Sequence, residues 1–139
     1  MNTTELMLGD YVFNTEHGGA TLEKVSKIEK EKVWIENSDT PVSIKYIHPV
    51  NILPSYRSLI GFERRSPNIK GYWFKECSFP DFITILFEYG TNRVSLVEIN
   101  VGNSHGTYRN IESLHELQHL VKQYKNKEKV NKNINCKNQ

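Results

Sequence analysis

Short apolar runs separated by turn-forming residues mark the first fifty positions of the chain. The segments 33–35 and 42–47 are rich in β-branched and aromatic residues, and the second alternates apolar with polar positions. The loops at 16–19 and 37–41 contain Gly, or Asn, Asp and Pro. Four or five short strands joined by tight turns predict a small SH3-like β-barrel over residues 1–48.

The following stretch predicts a second group of strands. Pro54 is suited to the first turn of a short helix, where its missing N–H costs little. The segment 71–74 is typical of a strand, and residues 82–89 form the most apolar run of the chain. Residues 93–101 alternate apolar with polar positions, so they predict a β-hairpin with the preceding run. The pattern then predicts a loop at 102–106.

A helical pattern follows from Asn110 onwards, where the sequence reads N-I-E-S-L-H-E-L-Q-H-L-V-K-Q-Y. Asn110 is a suitable N-cap residue. At about 100° per residue, apolar side chains form one stripe of this helix. The stripe consists of Leu114, Leu117, Leu120, Val121 and Tyr124. His115, Glu116 and His119 fall on the opposite, polar side, where we expect them to be solvated.

Together these patterns predict an α+β protein. An N-terminal SH3-like barrel, residues 1–48, is expected to precede a small antiparallel sheet covered by a C-terminal helix. The sheet and helix form a predicted α+β unit over residues 49–124, packed against the barrel. Residues 125–139 hold five Lys and one Glu and so carry +4. This Lys/Asn-rich composition predicts a disordered basic tail.

Residues 115–119 spell H-E-L-Q-H, a match to the H-E-x-x-H pattern of zinc proteases. Side chains four residues apart share one helix face, so His115 and His119 could hold one zinc ion, with Glu116 as the base for a bound water. A catalytic zinc needs a third protein ligand, and Lys125 stands where the extended pattern has a histidine. A zinc-dependent hydrolase is therefore an alternative, while the leading interpretation has no metal and no cofactor.

Composition narrows the classes of function. The 139 residues carry a formal charge of +2, and residues 1–124, with 13 basic and 15 acidic side chains, carry −2. Only the tail is positive. No apolar run approaches the roughly eighteen residues of a membrane span, and the N-terminus lacks a signal-peptide pattern. The two cysteines, Cys77 and Cys136, indicate no disulfide framework. We therefore expect a cytoplasmic protein without membrane association.

Basic and aromatic residues lie close together in the middle of the chain. Arg64, Arg65 and Lys70 precede Tyr72 and Trp73. Proteins use such mixtures to hold and stack single-stranded nucleic acid, although aromatic residues in strands more often belong to a core. We take these five as candidate partner-binding residues. A nucleic-acid-binding protein that uses the barrel and the basic tail is the second alternative.

The order of elements resembles that of a group of small uncharacterised proteins carried by phages, prophages and other mobile elements. Their pattern opens with L-x-x-G-N/D-x-V, continues with P-I-x-L and G-F, and closes on a helix containing H-x-L-Q. The matching segments here are LMLGDYV at 6–12, PVNI at 49–52 with GF at 61–62, YWF at 72–74, and the helix at 111–124. The resemblance covers most of residues 5–124.

This chain departs from that pattern at two positions of the zinc-like segment. Glu116 and His119 stand where the resembling proteins have Gln and Asn, so the resemblance implies a closing helix that needs no metal. It implies no activity. Since the residues also form no complete catalytic set, we expect a non-enzymatic accessory protein of phage or mobile-element origin. Its expected partner is a protein, either a host factor or a component of a defence system.

Overall fold

The structure is a computed structural model. It describes the backbone of every residue except 65–70, 78–79, 89–90, 92 and 138–139, and it leaves out the side chains of 54 and 126–137. By its internal contacts the chain divides into two compact units. The first unit comprises residues 1–51 together with 113–115, and the second comprises 52–112 and 116–139. The fold is α+β with antiparallel sheets, as predicted.

The first unit contains one five-stranded antiparallel sheet. Its strands are β1 (Tyr11–Asn14), β2 (Thr21–Glu29), β3 (Lys32–Ile35), β4 (Val42–Ser43) and β5 (Ile47–His48). The strand order is β4-β3-β2-β1-β5, and a 3-10 turn joins β4 to β5. Since β4 and β5 form the two edges of this sheet, the described strands do not close the predicted barrel.

A β-bulge divides β2 into two halves. Val25 pairs with Ile35 and Lys27 pairs with Trp34, so Ser26 is the extra residue. A bulge of this kind bends a strand and increases its twist, which lets β2 pair with β1 through one half and with β3 through the other. The strands enclose a core of seven buried aliphatic side chains: Leu6, Val12, Val25, Val33, Ile35, Val42 and Ile47.

The second unit contains a five-stranded antiparallel sheet and two α-helices. Its elements are α1 (Pro54–Leu59), β6 (Phe62–Glu63), β7 (Tyr72–Phe74), β8 (Phe82–Phe87), β9 (Val94–Val101), β10 (Ser104–Tyr108) and α2 (Leu114–Lys137). The first two residues of α2 belong to the first unit. The strand order, β10-β9-β8-β7-β6, is that of a simple meander. The predicted pairing of β8 with β9 is confirmed. The predicted loop at 102–106 is wrong, because most of this segment belongs to β10.

Helix α2 buries the predicted apolar stripe. Leu117, Leu120, Val121 and Tyr124 pack with Ile85 and other side chains of the sheet in one core cluster. The helix begins at Leu114 rather than directly after Asn110, whose backbone is left-handed with φ 63°. It continues to Lys137 within the predicted tail, whose disorder in solution stays a prediction. No helix of the described chain is both long and apolar enough to cross a membrane.

Gly71 is fixed by backbone geometry at the start of β7. Its φ is +98°, a conformation that L side chains rarely adopt, and an added Cβ would lie 2.6 Å from the carbonyl oxygen of Ile85. No flexible side chain can relieve that contact, because the neighbouring atom is backbone. Glycine at this position therefore lets β7 approach β8 closely enough to pair.

Candidate functional site

A pocket of about 280 Å³ lies within the first unit, and we call it the N-terminal pocket. Its lining comes from β1, β2, β3, β4 and the two loops that follow β1 and β3. The lining residues are Asn14, Glu16, His17, Glu23, Ile35, Ser38, Thr40 and Val42. Every one of them belongs to the first unit, so this unit forms the described lining by itself.

Strand register turns Glu23 towards the interior side of the sheet. Glu23 pairs with Val12, and directly paired residues project to the same face. Val12 is fully buried, and so is Val25, two residues beyond Glu23 on the same face. The neighbouring pair, Tyr11 with Lys24, projects to the opposite face. Glu23 is therefore a carboxylate among inward-facing positions, and it is half-buried.

The side chain of Asn14 holds this carboxylate in place. Its Nδ2 donates to Oε2 of Glu23 at 2.9 Å, and its Oδ1 accepts from the backbone N–H of Glu16 at 3.0 Å. Asn14 is only 7% exposed, and both of its hydrogen bonds are partly buried. The loop is further attached by Thr15, whose N–H and hydroxyl both donate to the carbonyl oxygen of Tyr46. The polar wall is thus preorganised.

The remaining walls combine apolar and polar groups. Ile35 and Val42 are buried side chains that contribute apolar lining. Ser38 and Thr40 contribute hydroxyl-bearing residues from an exposed loop, in which the N–H of Thr40 donates to the Ser38 hydroxyl. His17 is largely exposed, with its Nε2 3.5 Å from Oε1 of Glu16. The pocket therefore has an apolar part, two carboxylates and a solvated rim.

The charge of the first unit matches that of its pocket. Residues 1–51 hold eight acidic side chains and five lysines, and residues 113–115 add no Lys, Arg, Asp or Glu, so the unit carries −3 with neutral histidines. An ionised carboxylate accepts hydrogen bonds and cannot donate them. The pocket is thus suited to a donor or a cation and repels anions.

The zinc-like residues occupy a different environment from the one predicted. His115 is 5% exposed, so the expectation that it lies solvated on the polar face is wrong, and Glu116 and His119 are half-buried. Within the first unit, the N–H of Leu114 donates to the Val50 carbonyl at 2.8 Å. Helical periodicity cannot reveal such a long-range contact. No group of three or more His, Cys, Asp or Glu suited to a metal occurs among the described residues.

The five candidate partner-binding residues are separated in the structure where it describes them. Arg64 is exposed after β6, while Arg65 and Lys70 lie outside the described residues. Tyr72 pairs with buried Ile85, and the next residue, Trp73, projects to the other face of the sheet, where its ring lies near Phe82. The structure therefore places the two aromatic residues on opposite faces.

An arginine that the sequence did not single out lies in the core of the second unit. Arg57 is 2% exposed, and its Nε and Nη2 donate to the Ile52 carbonyl at 3.1 and 3.0 Å. Its guanidinium carbon lies 3.7 Å from the ring centroid of Phe87 and 4.4 Å from that of Tyr72. Burial lowers the pKa of this guanidinium, and Tyr72 opposes the shift. This enclosed cation is structural.

The hydroxyls of Tyr108 and Tyr124 share a short hydrogen bond in the second unit. The two rings meet edge to face, with centroids 6.1 Å apart. Burial, and then the hydrogen bond with Tyr108, raise the pKa of Tyr124 to about 12. Tyr124 therefore stays neutral over the physiological range, and its contact with Tyr108 joins β10 to α2.

Comparisons with family models, with curated proteins and with solved structures found no match to this chain.

The N-terminal pocket was missed by sequence reasoning. The signal that points to it is the polar residue Glu23 at an inward position of β2, between Leu22 and Val25, and recognising it requires the register with β1.

Proposed function

We propose that this protein is a non-enzymatic, cytoplasmic binding protein that acts through a protein partner. The observation that carries the proposal is the N-terminal pocket, where a hydrogen-bonded carboxylate lines a volume of about 280 Å³. The described hydrogen bonds of Asn14 orient a carboxylate and a loop, and they position no nucleophile. Origin from a phage or another mobile element is part of the proposal and rests on the order of sequence motifs.

The first unit is proposed to be of the SH3-like kind. Supporting this are four consecutive antiparallel strands, a 3-10 turn after β4, and a fifth strand that pairs with β1. The bulge at Ser26, which lets β2 serve both halves of the sheet, also supports it. Folds of this type host many unrelated functions, so the assignment adds architecture and no activity.

Nucleic-acid binding by the first unit is disfavoured by its charge. Affinity for nucleic acid comes largely from lysine and arginine side chains that neutralise phosphates. The first unit carries −3 and contains no arginine. Lys24 and Lys27 lie over the rings of Tyr11 and Trp34, with Lys27 also 3.1 Å from a carboxylate oxygen of Glu29. A protein partner therefore suits this unit better than a polyanion.

Site-specific photo-crosslinking tests the proposal. A photoreactive amino acid replaces Thr40 at the rim of the pocket, and a matched variant carries it at exposed Thr107 in β10. In the native host we expect one discrete protein adduct from position 40 that is absent from position 107. Nuclease-sensitive adducts, or identical adducts from both positions, would contradict a protein partner at this pocket.

A further inference from the structure

We infer that the N-terminal pocket binds the side chain of a lysine or arginine presented by the partner. This inference rests on the proposed function and specifies the chemistry that the partner must carry. Glu23 is the anchor, Glu16 lies in the adjoining loop, and the apolar lining from Ile35 and Val42 receives the aliphatic part of the incoming side chain.

The Glu23 carboxylate is partly withdrawn from water and forms no ion pair with a described Lys or Arg. It is half-buried on the face that also carries buried Val12 and Val25. Withdrawing a charged group from water is costly unless an opposite charge compensates. The hydrogen bond from Asn14 comes from a neutral amide, and no Lys or Arg of the described residues forms an ion pair with Glu23. No cation of the described residues compensates this carboxylate, so a cationic ligand can do so.

Two lysines of the same strand lie away from the Glu23 carboxylate. Lys24 belongs to the face opposite Glu23, and its Nζ lies 5.6 Å from the ring centroid of Tyr11. Lys27 is on the other side of the bulge, with its Nζ 4.7 Å from the ring centroid of Trp34. Each lysine is thus placed over an aromatic ring of a neighbouring strand. The pocket stays negative because the nearest cations in sequence are held away from it.

The volume and the lining of the N-terminal pocket also restrict its ligand. The pocket volume of about 280 Å³ lies just below the range of roughly 300–1,000 Å³ that accommodates drug-sized ligands. This volume has room for one amino-acid side chain. Lysine and arginine combine an apolar stem with a charged head, which matches a lining of aliphatic side chains beside carboxylates. An acidic or purely apolar side chain would leave the charge of Glu23 without an opposite charge.

Titration of the intact protein with blocked amino acids tests the inference by NMR. The probes are the N-acetyl amides of lysine and arginine, with norleucine and citrulline as uncharged counterparts and 1,5-diaminopentane as a free diamine. We expect the two cationic amino acids to shift the amide signals of Asn14, Glu23 and Thr40. We expect their uncharged counterparts to leave these signals in place.

Two variants connect the response to the anchor. Glu23→Gln keeps an acceptor for Asn14 and removes the charge, and we expect it to weaken binding at least about tenfold. Glu29→Gln changes an exposed carboxylate at the end of the same strand and should bind like wild type. A dispersed amide spectrum of Glu23→Gln verifies that the variant is folded.

The outcomes separate this inference from the proposed function. Equal binding by wild type and Glu23→Gln, or by arginine and citrulline, overturns the cationic side chain even if the crosslink at position 40 is found. A free diamine that binds more tightly than both blocked amino acids overturns a partner side chain as the occupant. Pocket shifts without any crosslinked protein support the binding chemistry and contradict the proposed partner.

Discussion

Arg57 in the second unit and Glu23 in the first are charged residues at inward positions, and their surroundings differ in opposite ways. Arg57 in the second unit is enclosed, with two hydrogen bonds to the Ile52 carbonyl and aromatic rings beside the guanidinium. Glu23 in the first unit is half-buried beside an opening, with a neutral amide as its donor. A charge whose hydrogen bonds are completed inside the fold stabilises that fold. A charge left at an opening is available to a ligand.

The two residues differ in burial and in hydrogen bonding, and this difference separates a contribution to stability from a contribution to binding. The usual trade-off is that a binding site keeps groups that are not optimal for the folded state alone. By that criterion the enclosed arginine belongs to the core of the second unit, and the glutamate belongs to a site. Amide hydrogen exchange measured at buried strand residues of each unit reports the two stabilities separately.

The largest expected effect is from Arg57. Replacing it with Ala leaves a cavity and removes both donors from the Ile52 carbonyl, so the unfolding free energy of the second unit should fall by about 3–5 kcal/mol. Arg57→Met keeps most of the volume and should cost only about 1–3 kcal/mol. Denaturant titration followed by hydrogen exchange at Ile85 and Val97 measures both. Arg109→Ala, at an exposed position, is the control and should have no measurable effect. Equal behaviour of Arg57→Ala and Arg109→Ala would show that the cation is not structural.

The tyrosine pair gives the next largest effect and a pH dependence. The folded-state pKa of Tyr124 is raised from 10.0 to about 12. The contribution of Tyr124 to the unfolding free energy is therefore fully present below pH 10 and is lost as the pH rises from 10 to 12. Tyr108→Phe should lower the unfolding free energy by about 1 kcal/mol at neutral pH and should lower the pKa of Tyr124. Ultraviolet absorbance during alkaline titration measures the pKa. An unchanged tyrosine titration in Tyr108→Phe would contradict the coupling.

Glu23 should behave in the opposite manner from Arg57. Glu23→Gln removes a half-buried charge without changing volume, so the unfolding free energy of the first unit should stay constant or increase, by less than about 1 kcal/mol. Hydrogen exchange at Val12 and Val25 measures this change, with Glu29→Gln as the matched control. A loss of several kcal/mol would mean that Glu23, like Arg57, serves the fold.

The smallest expected effect is that of metal removal on the melting temperature. Among the described residues no group of three potential ligands is available to bind an ion, so chelator treatment should move the melting temperature by less than about 1 °C. The same protein with added zinc should show unchanged amide signals at Asn14 and Glu23. A zinc-dependent shift of these signals would show that the N-terminal pocket binds a metal ion. It would contradict a lysine or arginine side chain as the ligand.

Local patterns in the sequence predicted the elements well and their environments poorly. The apolar stripe of α2 and the β8–β9 pairing follow from periodicity, which is a local property. His115 is 5% exposed, and its neighbour Leu114 donates to the carbonyl of Val50, more than sixty positions away along the chain. β10 was predicted as a loop because glycine and polar residues are poor strand formers in isolation, and pairing with β9 overrides that preference.

The candidate site was less accessible to sequence reasoning than the fold. Glu23 is one acidic residue among many, and only the pairing of β1 with β2 shows that it shares a face with Val12. The bulge at Ser26 also resets the alternation of β2, so Lys24 and Lys27 both leave the core although they are three residues apart. A simple period of two cannot predict both positions.

The discontinuity of the first unit bears on how the protein is made. Residues 113–115 complete a unit whose other members are residues 1–51. At about 5–20 residues per second, roughly 3–12 s of synthesis separate the two parts. During that interval the carbonyl of Val50 lacks the N–H of Leu114, its partner in the finished chain. The N-terminal unit therefore stays incomplete during synthesis until residues 113–115 have been added.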